Sequence, residues 1–68
     1  MTKDIKKLAN SIPFKAFDIY LPGRHISVIN SNTIAISPKG DKLIVFTQDG
    51  NFHIINVKQI TEIEIGNT

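Results

Sequence analysis

The chain has no cysteine and no tryptophan, and only one methionine, one tyrosine and three alanines among its 68 residues. Without cysteine it has neither a disulfide nor thiolate chemistry, and two isolated histidines, His25 and His53, do not complete a structural zinc site. Also missing are a glycine-rich phosphate cradle, a nucleophile elbow and a Cys-X-X-Cys pair, so each recognisable reaction class lacks its minimum equipment. A non-enzyme is therefore expected, with no catalytic residue, cofactor, metal or small-molecule substrate. No stretch approaches the roughly 20 apolar residues needed to cross a bilayer, and the lysines of residues 1–11 are scattered among apolar positions. A cytoplasmic protein with no membrane partner is the expectation.

Length sets the next limit. A chain this short makes a single domain, 1–68, which buries only about 60% of the surface its unfolded form exposes. Ordering costs roughly 1.5 kcal/mol per residue against a hydrophobic gain of similar size, so a lone monomer is marginal. With disulfides and metal set aside, oligomerisation is the remaining source of stability.

What the chain does have is isoleucine, thirteen of them. That β-branched bias suits pleated, half-buried surfaces and predicts a strand-rich protein. The net charge is +2, but residues 1–30 carry five bases against two acids while residues 31–68 carry three against four. The basic end is the N-terminal one, and the imbalance permits only weak attraction to a polyanion.

Near the start, Ile5, Leu8, Ala9 and Ile12 fall at helical spacing opposite Lys3, Lys6, Lys7 and Asn10, which predicts one amphipathic helix over about residues 2–11. Thr2 is its expected N-cap, Asp4 suits the first turn, and Pro13 stops it. Phe17, Ile19 and Leu21 then alternate with Asp18 and Tyr20 as a strand, closed by a Pro22-Gly23 turn. Alternation resumes through Ile26 and Val28, pauses at Asn30-Ser31-Asn32, and returns at Ile34 and Ile36, as one bent strand or two.

A dense turn signal, residues 37–41, precedes Leu43-Ile44-Val45-Phe46, whose apolar residues occupy both parities and so require cover on both faces. Asp49-Gly50 predicts a tight hairpin into residues 51–56, with both histidines at polar-facing positions. Ile63 and Ile65 then alternate with Glu62 and Glu64 in a last strand with an acidic outer face. Asp41 and Asp49 read as turn residues that bond local backbone, and the two glutamates, about 7 Å apart along one face, as a solvated edge. A helix followed by five or six short strands predicts a small, mostly β, closed or nearly closed barrel.

This order resembles the Sm-like family, in particular its bacterial branch, the RNA chaperone called host factor. Ile19-Tyr20-Leu21 followed by a glycine turn is similar to the end of that family's first strand. Asp41 to Phe46 is similar to its aspartate-led third strand, and Asn56-Val57-Lys58-Gln59-Ile60 falls where its fourth strand passes into its fifth. The chain departs from the pattern around Asn56 and Val57, where the family carries aromatic and basic residues, and at Lys58, where it carries histidine. Pro13-Phe14 and the turn at residues 37–41 are also similar to a group of small bacterial proteins of unknown function, and a phage- or plasmid-encoded regulator is a third possibility that no residue pattern identifies.

The Sm-like resemblance implies a five-stranded, strongly bent barrel over about residues 15–65 and a homo-oligomeric ring. In it, strand four of one copy pairs with strand five of the next. It also implies single-stranded RNA as a ligand, with Lys42 and Lys58 offsetting phosphates, Asn56 bonding a base edge and Tyr20 stacking a base on another face. The alternative is a protein-interaction module that presents a strand edge or the apolar helix face and binds no nucleic acid.

Overall fold

Side-chain alternation and turn chemistry resolve into six strands and one helix in the computed structural model, which describes residues 2–66. The Thr2 side chain, the expected N-cap, lies outside the described part. Helix α1 spans Thr2–Ala9, with Asp4 in its first turn and Ile5 fully buried against the strands. It ends two residues short of the expected boundary, so Ile12 falls beyond it and is 96% exposed instead of extending the apolar stripe. No described helix is long and apolar enough to cross a membrane.

Strands β1 (Phe17–Leu21) and β2 (Arg24–Val28) form an antiparallel hairpin through Pro22-Gly23. Gly23 takes φ +78° there, the left-handed value that this turn position demands and glycine supplies without strain. The chain then breaks where the sequence left one bent strand or two open. Thr33 Oγ1 donates to the Asn30 carbonyl at 2.7 Å and accepts from the Asn30 N–H at 3.4 Å, within a short 3-10 turn over Ser31–Thr33. These local bonds divert the backbone from the ladder, so β3 (Ile34–Ile36) is a separate strand.

Strands β4 (Lys42–Phe46) and β5 (Phe52–Asn56) follow, and after a 3-10 turn over Val57–Gln59, β6 (Glu62–Ile65) ends the order. The strands make two open three-stranded antiparallel sheets, β2-β1-β6 and β3-β4-β5, which is a correction to the single five-stranded barrel. Their inner faces share one core: Phe17, Ile19 and Val28 from the first sheet, Leu43, Val45 and Ile55 from the second, with Ile5 from the helix. No polar side chain is buried among the described residues.

The β4–β5 hairpin forms as expected, but one residue longer. The Thr47 N–H donates to the Asn51 carbonyl and the Gly50 N–H to the Thr47 carbonyl, leaving three residues in the loop. Gly50 alone takes the positive φ, +88°, while Asp49 accepts from Thr47 Oγ1 and from the Asn51 N–H and amide. These bonds, led by that from Thr47, hold the Asp49 carboxyl below the usual carboxylate range.

That single extra residue sets the register. Phe46 stands opposite Phe52 and Val45 opposite His53, whereas a two-residue Asp-Gly loop would put Phe46 opposite His53. A slip of one flips every side chain of a strand to the other face. His53, expected on the polar side, therefore shares the core face with Val45 and Ile55 and is half-buried, while Phe52 and Ile54 point outward.

Candidate functional site

On the outer face of β3-β4-β5 the register aligns Ala35, Ile44 and Ile54 in one row and Phe46 with Phe52 in the next. The two phenylalanine rings lie 6.2 Å apart, and Phe52 and Ile54 are 58% and 60% exposed. A cleft of about 410 Å³, bordered by Pro38, Ile44, Ile54 and the stem of Lys42, opens on this face. β5 is also an edge strand.

Polar residues bound the same face at one end. Lys42 stands directly across from Asn56. The Asn56 side-chain oxygen accepts the Lys58 N–H at 3.1 Å, which caps the 3-10 turn and leaves the amide nitrogen to donate outward. Lys42 Nζ lies 3.6 Å from the Asp41 carboxylate, an exposed pair of little energetic weight. A hydrogen bond from Ser37 Oγ, aided by the Lys42 charge, keeps the Asp41 carboxyl low. The fold thus gathers Lys42, Asn56 and Lys58 into one corner beside an apolar face.

Tyr20 is not part of that corner. It lies on the outer face of the other sheet, opposite Glu62 on one side and His25 on the other, and stacks on the His25 ring at 5.2 Å. Its hydroxyl donates to Glu64 Oε1 at 3.4 Å, and Asp18 faces Glu64 across β1 and β6. Glu64 first, then desolvation and Asp18, push the Tyr20 phenol above its ordinary value of 10.0. These carboxylates repel a phosphate chain, so Tyr20 is poorly placed to share a nucleic acid with the lysine corner.

As the chain's only tyrosine, Tyr20 reports on this face alone. An absorbance titration will show phenolate forming with a midpoint above 10, and Glu64→Gln will bring it back toward 10. The raised folded pKa favours the protonated phenol, so its stabilising contribution is complete below about pH 10 and disappears as pH rises through the folded value.

Of the three exposed residues central to the face, Phe46 ends the aspartate-led stretch, while Phe52 and Ile54 belong to no recognised motif. Their signal was available in Phe52-His53-Ile54-Ile55, apolar at both parities like Leu43 to Phe46. No protein-family model, curated protein or solved structure matches the chain.

Proposed function

We propose that the chain is a non-catalytic, cytoplasmic, Sm-like subunit that assembles with copies of itself through its free sheet edges and binds single-stranded RNA at the Lys42, Asn56 and Lys58 corner. The observation that carries this reading is the placement of exposed Phe52 and Ile54 on an edge strand that ends at Asn56, across from Lys42 of β4 and two residues before Lys58. An apolar strand with unpaired backbone groups is a template for another chain, and proteins normally blunt such edges. The ammonium groups of Lys42 and Lys58 supply phosphate contacts, and the Asn56 amide supplies a donor for a base edge.

Binding to a fluorescent single-stranded RNA will weaken linearly in log salt. Lys42→Ala and Lys58→Ala will each lower the magnitude of that slope by about 0.7. No binding at low salt defeats the RNA assignment. A second reading, a protein-interaction module, draws on the same exposed Phe46, Phe52 and Ile54 face and the modest net charge. Contact through that face would be nearly indifferent to ionic strength.

A further inference from the structure

Four strands lie at sheet edges, β2 and β6 in one sheet and β3 and β5 in the other. β3 has three residues, whereas β2 has five and a cleft of about 300 Å³ along its side. The bonds of β1 fix how the β2 backbone is turned. The Thr61 and Gly66 N–H groups donate to the Tyr20 and Ala16 carbonyls at 2.9 and 3.0 Å, so Tyr20 and, between them, Asp18 turn their backbone toward β6. Bonded and non-bonded pairs alternate along an antiparallel ladder, which turns His25 and Ser27, opposite Tyr20 and Asp18, away from β1. Their N–H and C=O groups point toward the cleft that both residues line, with no backbone partner among the described residues.

We propose that this edge receives an extended peptide of another protein, with alternating apolar and basic side chains, paired antiparallel to β2 so that basic residues stand opposite Ser27 and His25 and an apolar residue opposite Ile26. An added strand completes the idle backbone groups, and the side chains on its two faces set the pattern. Ile26, Ile29 and Phe46 line the cleft with the half-buried His53, so a residue opposite Ile26 has apolar cover from both sheets. The other face carries two rows across the sheet, Glu64-Asp18-Ser27 and Glu62-Tyr20-His25, with three carboxylates and no lysine or arginine. Ser27 Oγ donates to Asp18 Oδ1 at 2.5 Å, which draws that carboxylate toward β2 and within reach of a long basic side chain on the next strand. A guanidinium opposite His25 meets the stacked Tyr20 and His25 rings.

A second copy of β2 fits this edge poorly. Its own residues at the bonded positions are His25 and Ser27, which bring no lysine or arginine to Asp18. The site shares no residue with the Lys42, Asn56 and Lys58 corner, so peptide binding and RNA binding stand or fall separately.

A capped Val-Arg-Val-Arg-Val peptide, added to the full chain and followed by amide hydrogen exchange, tests the assignment. It will slow exchange at the His25 and Ser27 amides, and the matching Val-Glu-Val-Glu-Val peptide will bind roughly tenfold more weakly. N-methylation of the arginine amides, which face β2 in this pairing, will abolish binding, a loss that charge attraction alone does not produce. Asp18→Asn will weaken binding of the arginine peptide about two- to fivefold. Ser27→Pro removes an outward N–H that β1 does not use and will weaken binding strongly, with a native circular dichroism spectrum as the control. No binding of the arginine peptide at millimolar concentration, equal binding of the acidic one, unchanged binding after N-methylation, or protection confined to β5 or β6 overturns the proposal. Protection of His25 and Ser27 that grows with protein concentration in the absence of peptide gives the edge to a second copy and overturns it as well.

Discussion

Replacing Ile54 with lysine will leave each chain folded and drive the assembly apart. Ile54 is 60% exposed and contributes little to the core formed by Leu43, Val45 and Ile55, so circular dichroism and the thermal midpoint measured at low protein concentration will stay near wild type. In the proposed assembly the same residue is covered. Burying an isoleucine side chain is worth about 1.5–3 kcal/mol, so its loss alone weakens each interface roughly 10- to 150-fold. The lysine adds the cost of moving a charge out of water, which raises the effect further. Concentration-dependent light scattering will show the shift, and an Ile54→Lys chain that assembles like wild type would remove this face from the interface.

The second large effect lies in the core. Leu43→Ala will lower the unfolding free energy by about 2–5 kcal/mol, the usual cost of emptying a leucine site that cannot collapse. Leu43 is fully buried at the centre of β3-β4-β5, opposite Ile36 on one side and Ile55 on the other, so neighbours from both flanking strands line the void. A chain of 68 residues has in total only roughly 3–10 kcal/mol to lose. Urea denaturation at fixed protein concentration will therefore show a much lower midpoint for the alanine variant, while Leu43→Met costs less than about 1.5 kcal/mol. The protein concentration must be held constant, because the proposed self-association would add apparent stability by mass action. A loss below 1 kcal/mol in Leu43→Ala would mean that the two sheets do not close on Leu43 as described.

Much of the fold is legible in short-range chemistry. Pro22-Gly23 places the first hairpin, Asp49-Gly50 the second, and the Ile5 and Leu8 spacing the helix, because in each case a few adjacent residues determine the backbone. Less was legible where the outcome depends on a count or on a competing local bond. Thr33 Oγ1 binds the Asn30 backbone and divides the chain where the alternation pauses, and the pause alone does not decide between one bent strand and two.

The Asp49-Gly50 loop has three residues instead of two, and this one difference turns His53 inward and Phe52 and Ile54 outward. Where both parities are apolar, as from Phe52 to Ile55, composition does not report which face is buried. For the candidate site, Lys42, Asn56 and Lys58 converge because β4 and β5 pair in this register. Tyr20 belongs to the other sheet, beside two carboxylates, of Glu62 and Glu64, that lie more than forty positions away in sequence. Only tertiary pairing brings Glu62 and Glu64 beside it.

Sedimentation velocity on the wild-type chain at micromolar concentration tests self-assembly most directly. Assembly of like chains through the free sheet edges predicts a boundary at a multiple of 7.6 kDa that shifts toward the single chain on dilution. A single, fully folded 7.6 kDa species at every concentration would contradict it.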